Sequence, residues 1–566
     1  MTPRNRSKSP SNRANKRRRI SPSVSRNSPS NNAMAQTTTN GLPTIPLTPI
    51  EKTLKRLLLD VAEYIQNEPL TVGSEPAEVQ PIVLRFTGGW VRDKLLGVGS
   101  QDIDVAINTM TGYQFGMRLK EYLDNPKNLE KYRRSQPNGE MNEAIVSLHK
   151  IAANPEKSKH LETVTTKIFG LDIDLVNLRK ETYSEDSRNP QMEFGTAEED
   201  AMRRDATINA LFYNLNESTV EDFTGRGFED MGDQIIRTPL EPYQTFKDDP
   251  LRVLRLIRFA SRLGYRIDKD TENAMQNDDI SEALKLKISR ERVGTELEKM
   301  LRGPDPRGAL HFIDRLGLYP TIFANHQDDV TSDTSSWSLA YNSLEKLLQC
   351  QDGPSSLERI RTLLIRDAAE TYLAWMVAAF APWSSVPGRI QTGSKAKPVP
   401  PRSVEVARDS LRSDNKTMTL LRDAAQNWQS IIETKSSLLE GRMDGTTAET
   451  RQQVGLLIRS WKKDWRLCMV LAILQETMGE REFSNVIEEY DQFMSYILDQ
   501  QLEDCCEMKP IINGGEIMKG LGGSKGPWMS KAIDEVVKWQ LLHPDITEKE
   551  EVLRYLSQIK GDLGLS

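Results

Sequence analysis

Cysteine and histidine are scarce, at four and five of 566 residues. Cys350, Cys468, Cys505 and Cys506 lack the paired spacing of a structural zinc site and the density of a disulfide framework, so both classes are set aside. Buried thiols in a reducing compartment are expected. No run approaches the roughly 18 apolar residues of a membrane-spanning helix, so no membrane partner is expected. Acid is absent from the first 50 residues, which are rich in Ser, Asn, Pro and Arg. That composition cannot build a core, and residues 1–48 are expected to form a disordered basic targeting segment. The run Lys16–Arg19 with upstream Arg13 fits a nuclear address, whereas an acid-free, Arg/Ser-rich start fits a mitochondrial transit peptide. A start at Met34 would remove the basic run, so mitochondrion, nucleus and cytoplasm all stay open. The net charge of −6 argues against uniform adhesion to nucleic acid but not against a local basic face.

Hydrophobic residues at 37% and charged residues at 28% describe a globular chain long enough for several domains. Thr48 or Thr53 can open an amphipathic helix, T-L-K-R-L-L-L-D-V-A-E-Y-I-Q-N. Short β-branched segments follow at Pro81–Phe86, Asp102–Ile107, Thr163–Gly170 and Leu171–Leu178, with a long polar insertion between Asn108 and His160. After about Glu199 the apolar spacing becomes helical, interrupted by a Pro/Gly-rich linker at Ser384–Arg402, and no internal repeat is visible. The expected fold is an α+β head at 49–235, followed by an all-helical neck (236–315), body (316–430) and tail (431–566).

The chemistry concentrates in F-T-G-G-W-V-R-D-K-L-L-G-V-G-S-Q-D-I-D-V-A-I, from Phe86 to Ile107. On a strand, Asp102 and Asp104 project to one face and supply the hard oxygen ligands that a magnesium pair requires. Gly88 and Gly89 end the preceding strand and let backbone N–H groups approach a triphosphate. Arg92 can add charge to a phosphate oxygen, and Asp93 reads as its local ion-pair partner. Asp172 and Asp174 repeat the Asp-x-Asp pattern but are left outside the site as polar positions at a sheet surface.

Taken together, G-G-x-V-R-D followed by D-x-D resembles the head of the tRNA nucleotidyltransferase family, the CCA-adding enzymes of the polymerase-β superfamily. The resemblance continues in order from Pro81 to Pro306. R-R-D-A-T-I-N-A-L-F-Y-N resembles the ribose-recognition motif, which implies that Asp205 meets the ribose, that Arg203 and Arg204 serve phosphates or position Asp205, and that Asn209 completes the set. E-D-F-T-G-R-G-F-E-D-M, with Asp222 and Gly225, resembles the head–neck junction. D-D-P-L-R-V-L-R resembles the amino-acid template, which implies base selection by Asp249 and Arg252; Asp248 stands where the family often has Glu. S-R-E-R-V-G-T-E-L-E-K-M-L-R-G resembles the last neck motif, with Glu291, Arg292 and Glu296 as braces. Beyond Pro306 only the glycine-rich stretch at Gly514–Gln540 looks like the family's tail; it lacks the G-K-[ST] ending of a P-loop.

The resemblance implies a two-metal magnesium enzyme that uses CTP and ATP on the tRNA 3′ end, with no obligate protein partner. The template has a physical logic. Cytosine and adenine both present an amine beside a ring-nitrogen acceptor, matching a carboxylate and a guanidinium, whereas uracil and guanine reverse both contacts. Alternatives remain at three points. Pro250 as first helical residue would make Asp249 a helix N-cap. Arg255, Arg258 and Arg262, in line with Arg252, form either a phosphate-binding stripe or a solvated face. The head motifs also suit a bacterial-type poly(A) polymerase, and a non-catalytic tRNA-binding chaperone would not need the Asp102–Asp104 pair.

Overall fold

The structure is a computed structural model that describes residues 44–67, 80–100, 102–133, 145–151, 163–184, 187–349, 355–389 and 399–565. The basic run with Arg13, Met34, Cys350, most of the polar insertion's second half and the middle of the linker lie outside the described residues.

The chain opens with helix α1 (Pro49–Gln66), and Thr48 is its N-cap in a reciprocal capping box with Glu51. The strands are β1 (Leu84–Thr87), β2 (Asp102–Ile107), β3 (Ile145–Ile151), β4 (Thr163–Ile168), β5 (Leu171–Asn177), β6 (Arg179–Ser184), β7 (Ser187–Phe194), β8 (Leu211–Asn214) and β9 (Thr219–Asp222). Seven of them form one sheet in the order β3-β4-β5-β2-β1-β8-β9, while β6 and β7 pair separately as a hairpin. Only the β2–β5 pair in the large sheet is parallel. Helices α2 (Gly89–Leu95), α3 (Gly112–Asp124), α4 (Pro126–Arg133) and α5 (Ala197–Met202) complete the head.

Strand alternation gives this sheet two different faces. Ile103, Val105 and Ile107 of β2 and Ile173 and Leu175 of β5 join Leu54, Leu57, Leu58 and Val61 of α1 and Phe115 and Leu119 of α3 in one core. On the other face only a small cluster forms, with Ala106 and Phe212 against Ala197 and Ala201 of α5. Two features depart from the sequence reading. The chain does not turn helical at Glu199, because β8 pairs with β1 near the centre of the sheet and β9 forms its edge. A strand, β3, also lies within the polar insertion.

Helices α6 (Gly227–Gly232), α7 (Pro242–Asp248), α8 (Leu251–Leu263), α9 (Lys269–Met275), α10 (Asp278–Lys287) and α11 (Arg290–Leu301) lead away from the head. One hydrophobic core then runs from Ala206 to Leu541 without a break at 315 or 430. Helices Ala368–Ser384 and Trp465–Met478 are apolar nearly all round and lie at its centre. The last three helices close a separate cluster between Ile512 and Leu563. Among the described residues no helix is long and apolar enough to cross a membrane. Cys468, Cys505 and Cys506 are free thiols, the first two buried.

Candidate active site

Asp102 and Asp104 stand on the sheet face that the large core leaves uncovered. Thr87 of β1 is the cross-strand partner of Asp104, and its hydroxyl is buried without a hydrogen-bond partner. Gly88 follows with φ +72°, a left-handed conformation. A Cβ there would lie 3.3 Å from both Asp104 Oδ2 and Arg204 Nη1, so glycine keeps the approach to that carboxylate open. Burial pushes the Asp104 carboxyl up to about 6; Arg204 opposes the shift, and Asp174 and Asp102 add to it.

Asp174 was set aside in the sequence reading, yet parallel pairing makes it the register partner of Asp104, as Asp172 is of Asp102. All four carboxylates share one sheet face. Thr165 Oγ1 donates to Asp174 Oδ1 at 2.6 Å. The repeated Asp-x-Asp was the available signal; the strand pairing that gives it meaning is a long-range fact. Among the described residues no group of three or more Asp, Glu, His or Cys side chains is gathered closely enough to cage a metal.

The arginines of the site are held from behind. Arg92 is buried on α2, with Nε and Nη2 donating to Asp93 Oδ1 at 2.8 and 2.6 Å and Nη1 to Asn209 Oδ1 at 2.5 Å. Asn209 Nδ2 donates to Asp205 Oδ1 at 3.2 Å, and Arg255 Nε donates to Asp205 Oδ2 at 2.6 Å. Burial alone would raise the Asp205 carboxyl, but Arg255 and the Asn209 amide bring it down to about 2. Arg203 and Arg204 share the buried carboxylate of Asp200, and Arg204 also donates from Nη1 to the Asn209 carbonyl at 3.1 Å. Asp200 has no place in the sequence reading; it sits three and four residues before the two arginines, a helical spacing that foreshadows the pairing.

Helix α8 carries the expected template and the arginine row. Its first residue is Leu251, and Asp249 closes α7. Asp249 Oδ1 still accepts the Leu251 N–H at 3.2 Å, while Oδ2 lies 3.8 Å from Arg292 Nη2 on α11. Capping and a second role are therefore compatible, because each uses a different oxygen. Arg252 Nη2 donates to the Arg203 carbonyl at 2.8 Å, which brings the α8 template to the ribose motif. Each arginine of the row beyond it meets a carboxylate: Arg255 meets Asp205, Arg258 meets Glu296 at 2.6 Å, and Arg262, still exposed, meets Asp93 at 3.1 Å.

A mixed sheet with paired carboxylates beside a glycine turn, backed by clustered arginines, defines a nucleotidyltransferase head. The Poly A polymerase head domain family matches residues 84–237, and the family described as the probable RNA and SrmB-binding site of polymerase A matches residues 264–329. A nucleotidyltransferase of Purpureocillium lilacinum, lcsQ, is 38% identical over 92% of this chain and 93% of its own. The mitochondrial CCA tRNA nucleotidyltransferase of Candida glabrata is 38% identical over 90% of this chain and 95% of its own. The fold is shared with the Thermotoga maritima CCA-adding enzyme complexed with tRNA-CCA, at TM-score 0.56 and 19% identity over 91% of this chain and 96% of that one. A CCA-adding enzyme solved with CTP matches at the same TM-score, 0.56, and the same identity, 19%, over the same 91% and 96%. The chain belongs to the tRNA nucleotidyltransferase family.

Proposed function

We propose that this protein adds or repairs the 3′-terminal CCA of tRNA from CTP and ATP. The observation that carries the reading is the link between the two halves of the site. Arg252, on the helix with the base-selection motif, is bonded to the Arg203 carbonyl, and the adjacent Arg204 lies with Asp104 around Gly88. This link supports a reading in which base choice and phosphate chemistry are served by neighbouring side chains. The 3′ hydroxyl of tRNA attacks the α-phosphorus of CTP or ATP; a P–O bond forms to the RNA, the bond to the β-phosphate breaks, and pyrophosphate leaves.

Enzymes of this superfamily generally use divalent metals. The donor set here fits Mg²⁺, which binds through one or two carboxylates and substrate phosphates rather than an all-protein cage. Asp102 and Asp104 would hold it, with the buried Thr87 hydroxyl and the open Gly88 turn beside them. The ion would supply charge to the attacking and leaving oxygens. The chain's own residues do the positioning. The turn at Gly88–Gly89 admits the triphosphate, Arg204 faces it, and Arg92, Arg203, Asn209 and Asp205 form the ribose and phosphate wall. Asp249 and Arg252 read the base edge. Arg255 and Arg262 hold that helix on the head through Asp205 and Asp93, and Arg258 holds it on α11 through Glu296.

The acid-free N-terminal segment supports a mitochondrial address, as the Candida glabrata relative is described, and a start at Met34 would leave a second pool in nucleus and cytoplasm. Tagged full-length and Met34-initiated chains localised separately test this.

The activity test is extension of a labelled tRNA lacking its last three nucleotides, with Mg²⁺ and each NTP alone, then CTP with ATP. Two additions with CTP and three with CTP plus ATP are expected. A long ladder with ATP alone would mean a poly(A) polymerase, and tRNA binding without extension a chaperone. Asp104→Asn should abolish extension, by about a thousandfold or more, with tRNA binding retained.

A further inference from the structure

Glu181 lies on strand β6. Its side chain is only 7% exposed. Three guanidinium groups converge on it. Arg203 Nη1 donates to Oε1 at 2.8 Å, Arg179 Nε lies 3.6 Å from the same oxygen, and Arg252 Nη2 lies 3.7 Å from Oε2. The Arg179 side chain is itself charged against a gradient: burial and the neighbouring Arg203 lower it to about 10.

The geometry at Arg252 is specific. Its Nη2 corner donates to the Arg203 carbonyl at 2.8 Å and faces the Glu181 carboxylate at an ion-pair distance of 3.7 Å. A planar guanidinium bonded at one corner, with a carboxylate beside that same corner, is biased toward one tilt, and with it the direction of its other N–H groups. Resting on the reading of Asp249 and Arg252 as the base-selecting pair, we infer that Glu181 is the positioning residue for Arg252, and so sets how strictly cytosine and adenine are preferred over uracil and guanine. The carboxylate adds an electrostatic restraint between two side chains that are 11% and 7% exposed, where screening by water is weak. By the same route Glu181 ties the selecting residue to Arg203 of the ribose motif, so the sugar and the base are placed against one common support.

The test compares Glu181→Gln, Glu181→Asp and Arg252→Lys with the native full-length chain. The measurement is single-nucleotide addition to tRNA substrates, giving kcat/KM for CTP, ATP, UTP and GTP. Glu181→Gln keeps the shape and removes the charge. It should lower the ratio of correct to incorrect nucleotide by about tenfold, the loss of one charge-assisted contact, with CTP addition itself changed less. Glu181→Asp should recover part of the ratio. The double variant Glu181→Gln/Arg252→Lys should be no less selective than Arg252→Lys alone, since both act through one group. A purely structural Glu181 would depress all four nucleotides equally and leave the ratio within twofold, which would overturn the inference if Arg252→Lys relaxes selection. If Arg252→Lys leaves selection intact, the template reading itself fails. Should Glu181→Gln not fold, the ratio for Glu181→Asp, falling or unchanged, decides the same question.

Discussion

The seam between head and α8 and the core of the helical body are both buried, but they are built from opposite materials. Across the seam a closed polar chain runs from Arg262 to Asp93, Arg92, Asn209 and Asp205 and back to Arg255, with both ends on α8. In the body, helices Ala368–Ser384 and Trp465–Met478 bury side chains such as Phe380, Trp375, Leu471 and Ile473, and aromatic rings meet edge to face. The body buries charge too, but as scattered sets at the edge of this core: Lys435 with Glu476 and Glu489, Glu405 with Arg389, Asp423 with Lys462 and Arg402 with Asp328. Apolar packing gives stability that grows with area but little direction. Ion pairs give little net stability for their burial but fix angles and can exchange partners. The site lies where angles matter, and the support lies where area does.

The comparison breaks most readily in the body. Phe380 is fully buried and packs edge to face on Phe323 at 5.2 Å. Phe380→Ala should cost about 3–5 kcal/mol in denaturant unfolding, while the protein that remains folded keeps its kcat and nucleotide selection. A selection defect there would mean that the body does more than support the site.

Arg255→Ala is the counterpart at the seam. It leaves the Asp205 carboxylate buried beside the Asn209 amide without its closest cation, at a cost of about 1–3 kcal/mol because solvent reaches the half-buried Arg255. Here the measurement that separates the regions is activity. Nucleotide addition should fall at least tenfold in folded protein, because Asp205 loses the partner that holds it against the ribose side of the site. Equal stability loss with unchanged kcat/KM would place Asp205 outside the site.

Much of this arrangement was legible in the sequence, and the illegible part has a common cause. The glycine turn, the Asp-x-Asp strand, the Thr48 cap and the motif order are local, and each is present at the expected residues. The arginine row on α8 was equally visible as a row. What it faces was not, because its carboxylates come from Asp93, Asp205 and Glu296, which are 169, 50 and 38 residues away. Asp174 beside Asp104 is hidden for the same reason, since a parallel pairing with a long crossover decides it. Strand β8 was missed because its residues, Leu211–Asn214, are all buried and show no alternation to count.

Acid sharpens the contrast next. The folded Asp205 carboxyl stands at about 2, below its unfolded value of 3.8, so the unfolded chain takes up the proton first. The stabilisation is fully present above about pH 4 and is lost as pH falls toward 2, by about 2 kcal/mol. Asp205→Asn should flatten that part of the pH–stability curve measured by denaturant unfolding at pH 5 and pH 3. Phe380→Ala should shift the whole curve down without changing its slope.

The smallest effect is the most telling about how the seam is assembled. Arg262 is 42% exposed and contributes one bond to Asp93, whose other oxygen is already held by Arg92. Arg262→Ala should therefore cost under about 1 kcal/mol, and the cost should shrink further in 0.5 M salt. If the polar chain is a set of separable contacts, the Arg255→Ala and Arg262→Ala costs add, since the two arginines touch different acids. If the double variant instead costs clearly less than the sum, the first break already releases the other end, and the chain from Arg262 to Arg255 acts as one clasp. That outcome would recast the seam from a row of independent ion pairs into a single element that opens or closes as a unit.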